Sequence, residues 1–213
     1  MTRPRVLIAD DHRVLSEGLK SLLQPHFDVV GIVTDGRELV AASTSLNPDV
    51  VVLDISMPSL NGIDAARQIR SGSCHAKLVF LTMHREVTYA ARALEAGASG
   101  FVLKHSAASE LVTAIHEALK GGMYITPQIA SELVDSYRRG VPAGPYGSGE
   151  LTPRQREVLQ LVTEGHSAKE IAAILCISRR TAEFHKARLM ETLGLRNTVE
   201  LIHYAIRIGL GSV

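Results

Sequence analysis

The first 120 residues alternate two hydrophobic patterns, and that alternation constrains the fold more than any other feature of the chain. Short β-branched runs recur at Val6-Leu7-Ile8, Val29 to Val33, Val50 to Leu53, Leu78 to Leu81 and Phe101 to Leu103. Segments with helical spacing follow each of them: Val14 to Leu23, Glu38 to Leu46, Ile63 to Ile69, Val87 to Ala96 and Glu110 to Leu119. Strands that alternate with helices specify a parallel sheet, because a parallel neighbour is reached only by a crossover long enough to hold a helix. Val50-Val51-Val52-Leu53 has no polar alternation, as expected of a strand covered on both faces. Right-handed crossovers leave few arrangements. Five βα units fit an α/β, flavodoxin-like, doubly wound sheet of five parallel strands.

The pattern changes after Gly121. Residues 122–146 read as a linker that carries one short helix, Gln128 to Arg139. Gly140 to Gly149 hold Gly and Pro too densely for a core element. From 147 to 212 the chain reads as all helical. Thr152-Pro153-Arg154-Gln155 combines a Thr N-cap, Pro in the first turn and Gln at the capping-box position. Gly165 ends that helix, and Ser167-Ala168-Lys169-Glu170 opens a second with another capping box. Ser178 caps a third helix that Gly194 stops, and Asn197 with Glu200 opens a fourth that closes near Gly209. An all-α four-helix domain is expected, with a helix-turn-helix at about 167–186.

Composition excludes several classes. Hydrophobic residues are 46% and charged residues 21% of 213, which no disordered chain shows. The two cysteines, Cys74 and Cys176, suit a reducing compartment, so a cytoplasmic protein is expected. No apolar run approaches the roughly 18 residues of a membrane span, and the N-terminus lacks the apolar stretch of a signal peptide. The nine histidines show no metalloprotease-type spacing, and no zinc site is expected.

In an open α/β sheet, ligands bind at the carboxyl ends of the strands. The first strand ends in Asp10-Asp11, the third in Asp54 followed by Ile55-Ser56-Met57-Pro58 and Gly62, the fourth in Thr82 and the fifth in Lys104. Clustered carboxylates need a cation, and hard oxygen ligands select Mg²⁺. A carboxylate can act as a nucleophile toward phosphorus, and an ammonium and a hydroxyl can then hold the phosphoryl oxygens. Taken singly, an Asp after a strand is ordinarily the N-cap of the next helix. Five matched residues at the strand ends do not arise from capping.

These residues resemble the response-regulator receiver domain over residues 4–121. The resemblance implies that Asp54 accepts phosphate from a histidine kinase. It implies that Asp10, Asp11, Asp54 and the backbone carbonyl of Ser56 hold Mg²⁺, and that Thr82 and Lys104 bind the phosphoryl group. Phe101 stands where the family places an aromatic switch, and it reads equally well as a core aromatic. Many receivers carry a Pro in a cis bond after the Lys. Here His105 takes that place, so the loop must find its geometry otherwise.

Charge divides unevenly. Residues 1–120 hold 12 Lys+Arg and 13 Asp+Glu, whereas residues 148–213 hold 9 and 7. At 100° per residue, Ala182, His185, Leu189 and Leu193 share the core face of the third helix. Arg180, Glu183, Phe184 and Ala187 point away, with Lys186 and Arg188 toward the flanks and Arg179 and Thr181 at the start. Charge alone is consistent with a merely solvated face. The segments Leu151 to Leu161, Lys169-Glu-Ile-Ala, Ile177-Ser178, Thr181, His185 and Leu193-Gly194 resemble the LuxR-type DNA-binding domain over 147–212. A receiver followed by this domain resembles the NarL/FixJ response regulators. The resemblance implies that Arg179, Arg180, Thr181, Glu183, Phe184, Lys186, Ala187 and Arg188 face DNA, in a chain that pairs as a homodimer when active. Ala182, Glu183 and Ala187 depart from the residues usual there. Glu183 either accepts from a cytosine amine or orients Arg179 or Lys186 one turn away, and we favour the second. Phe184 either meets a thymine methyl or is partly buried against a neighbouring helix. The last helix, Thr198 to Ile208, either pairs subunits or belongs to the core.

Two other classes are open at this level. An aspartyl-nucleophile phosphatase of the haloacid-dehalogenase kind would carry Asp-x-Asp after the first strand, where this chain has Asp10-Asp11-His12. A receiver whose helical domain binds protein would show no salt-dependent DNA affinity.

Overall fold

The computed structural model describes residues 2–139 and 151–210, which fall into two compact units, one within 1–145 and the other within 146–213. In the first unit the expected alternation is present: β1 (Arg5–Ala9), α1 (Arg13–Leu23), β2 (Asp28–Val33), α2 (Gly36–Leu46), β3 (Val50–Leu53), α3 (Gly62–Ser71), β4 (Lys77–Thr82), α4 (Val87–Glu95), β5 (Gly100–Leu103) and α5 (Ala107–Leu119). A two-residue strand β6 (Tyr124–Ile125) and α6 (Pro127–Arg138) complete it. All pairings are parallel, in the order β2-β1-β3-β4-β5-β6.

The sheet therefore has six strands where five were expected. Gly100 pairs with Tyr124 and Phe101 with Ile125, so β6 extends the edge beside β5. Two residues are too few to show any periodicity, which is why this strand is invisible in the sequence. The segment 122–139, read above as linker, belongs to the first unit: Ile129 of α6 is fully buried in the sheet core with Ala90 and Ala93 of α4. The reading of Gly140 to Gly149 as linker lies outside the described residues.

Alternate strand residues feed two cores. Leu7, Val51, Leu53, Phe80, Phe101 and Leu103 face α2, α3, α4 and α6. Val6, Ile8, Val50, Val52, Val79, Leu81 and Val102 face α1 and α5 through Leu19, Leu23, Leu111 and Ile115. Fixing both faces fixes the register, so each strand delivers its last residue to a defined place on the carboxyl edge.

The second unit contains α7 (Pro153–Thr163), α8 (Ala168–Ile174), α9 (Arg179–Leu193) and α10 (Thr198–Arg207) around Val158, Leu159, Leu161, Leu189, Leu201 and Ala205. Both capping boxes form, Thr152 with Gln155 and Ser167 with Glu170. Ser178 caps α9, Asn197 caps α10, and Gly194 ends α9 at φ 64°.

Gly62 holds the loop after β3 close to its strand. Its N–H donates to the Ile55 carbonyl at 2.8 Å, and a Cβ at this position would run into the Asp54 carbonyl oxygen. Gly62→Ala is therefore expected to lower stability by roughly 1–3 kcal/mol, the usual cost of overpacking. Gly18→Ala, inside α1 with open space around it, should gain roughly 0.5–1 kcal/mol. Urea unfolding of the two variants checks this, and equal effects would contradict the packing argument.

Candidate functional site

The strand order reverses at β1, and the carboxyl ends of β1 and β3 flank that switch point. Asp10 follows β1 and is 1% exposed; Asp54 follows β3 and is 3% exposed; Thr82 ends β4 and is fully buried. Lys104, directly after β5, places Nζ 2.7 Å from Asp54 Oδ2 and 2.7 Å from Asp10 Oδ2. The contact to Asp54 is an aligned hydrogen bond, whereas the contact to Asp10 is an ion pair without that alignment. Asp54 Oδ1 accepts from the Ile55 N–H at 2.6 Å, and Asp10 Oδ1 from the His12 N–H at 2.9 Å. Asp10 and Asp11 are not helix caps: the N-cap position of α1 is His12, whose side chain caps nothing.

Burial pushes the Asp54 carboxyl above its ordinary value; the Lys104 charge and hydrogen bond work against that rise, and Asp10 adds to it. Burial likewise opposes the charge on Lys104, but the two carboxylates outweigh it and hold the ammonium above its ordinary value. The ammonium is thus secure, and the Asp54 carboxylate bears the cost of the arrangement.

Ligand atoms of Asp10, Asp11, His12 and Asp54 lie within 4.8 Å of one another. His12 Nδ1 is 2.8 Å from exposed Asp11. The carboxylate oxygens suit a hard divalent cation: three carboxylates against one ammonium leave an excess of negative charge at a partly buried site. Sequence reasoning did not anticipate His12 in this cluster, because a lone His after two Asp has no distinguishing spacing. Nor did it find His84, whose Nε2 shares a hydrogen bond of 2.8 Å with Ser56 Oγ. The His84 ring stacks on Tyr89 at 4.1 Å, and the backbone N–H of His84 donates to Thr82 Oγ1 at 3.2 Å. Ser56 and His84 each stand two residues past a strand-end site residue, the one signal that could have paired them.

Phe101 is fully buried and sits in register with Phe80 and Ile125, in the core position rather than an exposed one. Without Pro, Lys104-His105-Ser106 closes as a single 3-10 turn whose carbonyl at Lys104 accepts from Ala107. The end of β5 is also clasped from the edge. The Leu103 N–H donates to Thr126 Oγ1 at 3.3 Å, and that hydroxyl donates to Glu110 Oε2 at 2.6 Å.

In the helical unit, α8, a short turn and α9 form the helix-turn-helix. Arg154 fixes the turn, donating to the Leu175 carbonyl at 2.8 Å while paired with Glu157 at 2.7 Å. Along α9, Ala182 and Leu189 are buried and His185 is half-buried on the core side. Arg179, Arg180, Glu183, Phe184, Ala187 and Arg188 are exposed, whereas Thr181 and Lys186 are half-buried. Glu183 Oε1 accepts from Arg179 Nε at 2.8 Å, as the orienting reading of Glu183 requires. Arg188 pairs with Glu191 at 3.3 Å. Phe184 is 59% exposed, not buried against a neighbouring helix. In α10, Leu201 and Ala205 belong to the core. No helix among the described residues is long and apolar enough to cross a membrane.

The raised Asp54 carboxyl gives a pH signature. The folded chain binds that proton more tightly than the unfolded chain does. The resulting stability is complete below the ordinary value of 3.8 and is lost as pH rises through the raised one. Asp54→Asn removes the charge that carries the cost. In metal-free buffer the variant should melt above the parent chain at pH 7, and the difference should vanish toward pH 3.5. Calorimetry across that range checks it, and a variant less stable at pH 7 would contradict the balance described.

Two family models match the chain: the response regulator receiver domain over residues 6–116, and the luxR family of bacterial regulatory proteins over 149–205. The transcriptional regulatory protein DegU of Brevibacillus brevis is 33% identical, covering 96% of this chain and 94% of its own length. The transcriptional regulatory protein MctR of Rhizobium johnstonii is 36% identical, over 98% of this chain and 95% of its own. Among solved structures, the response regulator RcsB of Salmonella typhimurium aligns over 98% of this chain and 99% of its own with a TM-score of 0.65 at 29% identity. RcsB has also been solved in complex with DNA, and that chain aligns with a TM-score of 0.60 at 27% identity. With a receiver domain and a helix-turn-helix unit after it, this chain belongs to the two-component response regulators in which the receiver precedes a LuxR-type DNA-binding domain, a family of transcription regulators.

Proposed function

We propose that Asp54 accepts a phosphoryl group from a histidine kinase and that this event governs sequence-specific DNA binding through α9. The observation that carries the reading is the placement of Lys104, which bridges two buried carboxylates of which only Asp54 lies in a loop framed by Met57, Pro58 and Gly62. An Asp54 oxygen forms the bond to phosphorus as the bond to the donor nitrogen breaks, giving an acyl phosphate. Lys104 and the Thr82 hydroxyl then hold phosphoryl oxygens in place of their present partners. Asp10, Asp11, Asp54 and the backbone carbonyl of Ser56 are the donors for Mg²⁺, which supplies charge neutralisation at the phosphoryl group when bound. Lys104 is drawn toward the new group, and the strand end at Leu103, the neighbouring Phe101 and the Thr126 clasp move with it. The rearrangement shifts an inactive–active equilibrium, and the active chains pair so that two copies of α9 meet two half-sites. The domains are taken as 4–121 and 147–212, in a cytoplasmic protein whose only chemistry is its own phosphotransfer and autodephosphorylation.

Asp54→Asn should abolish acid-stable, base-labile labelling, and labelling of the parent chain should require Mg²⁺; undiminished labelling of the variant would sink the assignment. Lys104→Ala should keep part of the labelling and lose its effect on DNA binding. If that variant still bound DNA in response to phosphorylation, Lys104 would have no part in the switch.

At the DNA face, Glu183→Ala releases Arg179 from its ion pair and removes a charge that phosphate repels. Affinity for non-specific duplex should hold or rise, with the salt slope steeper by about one unit. Titration at two salt concentrations reads both quantities. A severe loss of affinity on every sequence would show that α9 presents another face to DNA.

A further inference from the structure

The outward face of α9 has an apolar centre. Phe184 points directly away from the buried Ala182 and Leu189, and Ala187, three residues on, is exposed beside it. Phe184 is 59% exposed, and among the described residues its ring meets only that of neighbouring His185, edge to face at 6.0 Å between centroids. Charged groups border this centre instead of occupying it. Arg179 is spent on Glu183 along one flank, and Arg188 on Glu191 along the other. Arg180, one turn before Phe184, is the exposed cation next to the patch and has no ion-pair partner among the described residues. A single exposed aromatic is common on protein surfaces, but this one stands at the centre of the face that the DNA-binding reading turns to the groove, where only an apolar surface would take it out of water to advantage.

The basic border fits a polyanion, and within a DNA major groove the apolar feature on a base edge is the thymine C5-methyl group. Resting on the DNA-binding reading above, we infer that Phe184 and Ala187 are specificity-determining residues that select thymine by its methyl group, with Arg180 as the adjacent polar reader. The centre of each half-site then carries thymine at the position under Phe184, and discrimination there arises from methyl burial and not from hydrogen bonding. Glu183, held by Arg179, takes no part in that discrimination.

The experiment replaces thymine by deoxyuridine, which removes the methyl and leaves every hydrogen-bonding group in place. Duplexes bound by the full chain are first selected from a randomised library. Each thymine of the selected duplex is then replaced in turn. One position per half-site should lose about fourfold in affinity on replacement, the worth of one buried methyl group. In Phe184→Ala the same replacement should have no further effect, while salt-dependent binding to unselected duplex persists. Phe184→Leu, which keeps an apolar side chain, should retain part of the sensitivity. 5-Methylcytosine in place of cytosine at a mismatched site should recover part of the methyl contribution for the parent chain alone. Strong selected binding that is insensitive to every deoxyuridine overturns the inference and leaves the DNA reading intact. So does sensitivity that survives in Phe184→Ala. Absence of salt-dependent binding to any duplex overturns the DNA reading itself.

Discussion

One ammonium between two buried carboxylates organises the receiver unit. Lys104 lies 2.7 Å from both Asp10 and Asp54, in a position that would otherwise hold two like charges out of water. Taking the ammonium away would leave those two like charges buried and uncompensated, at a cost of order 3–5 kcal/mol. The cluster is nevertheless not arranged for stability, since the Asp54 carboxyl remains above its ordinary value despite the ammonium. With Asp11 at the rim, the site carries more negative charge than Lys104 neutralises. The acidic cluster could hold a divalent cation, and such a cation would offset that imbalance.

The attachments around Lys104 lead to the edge of the sheet. The residue before it donates to Thr126, which is bound to Glu110 of α5 and begins α6. The Ser56–His84–Tyr89 bridge joins the loop after β3 to α4, and α4 shares its core with Ile129 of α6. Both routes from the site thus converge on α6. The sixth strand and the packed α6 are thus tied by hydrogen bonds and shared core to the strand ends where Asp54 and Lys104 lie.

The parts of the fold that rest on repetition were legible in the sequence. Val50 to Leu53 was placed to the residue, because a continuous apolar run admits one reading once helices flank it. The capping boxes at Thr152 and Ser167 were legible because capping is local chemistry. β6 was not, because its two residues are fixed by an edge left open beside β5 and not by their own pattern. Asp10, Asp54, Thr82 and Lys104 could be placed at the carboxyl edge of the sheet because each ends a strand or directly follows one. His12 and His84 were missed because their partners are set by loop conformation. On α9 the helical wheel placed Phe184 and Glu183 outward, but only coordinates show which cation Glu183 engages.

If the carboxylate cluster at the ends of β1 and β3 is an incomplete cation site, folding of the chain is linked to Mg²⁺. The unfolding midpoint of the full chain, followed as Mg²⁺ is raised at constant ionic strength, tests that claim most directly. Binding to the folded state alone stabilises by RT ln(1 + [Mg²⁺]/Kd), so the midpoint should stay flat at low Mg²⁺ and then climb with its logarithm. Asp11→Ala, altered at the exposed rim, should fold normally and lose the climb. A midpoint that ignores Mg²⁺, or one that climbs equally in Asp11→Ala, would contradict the account.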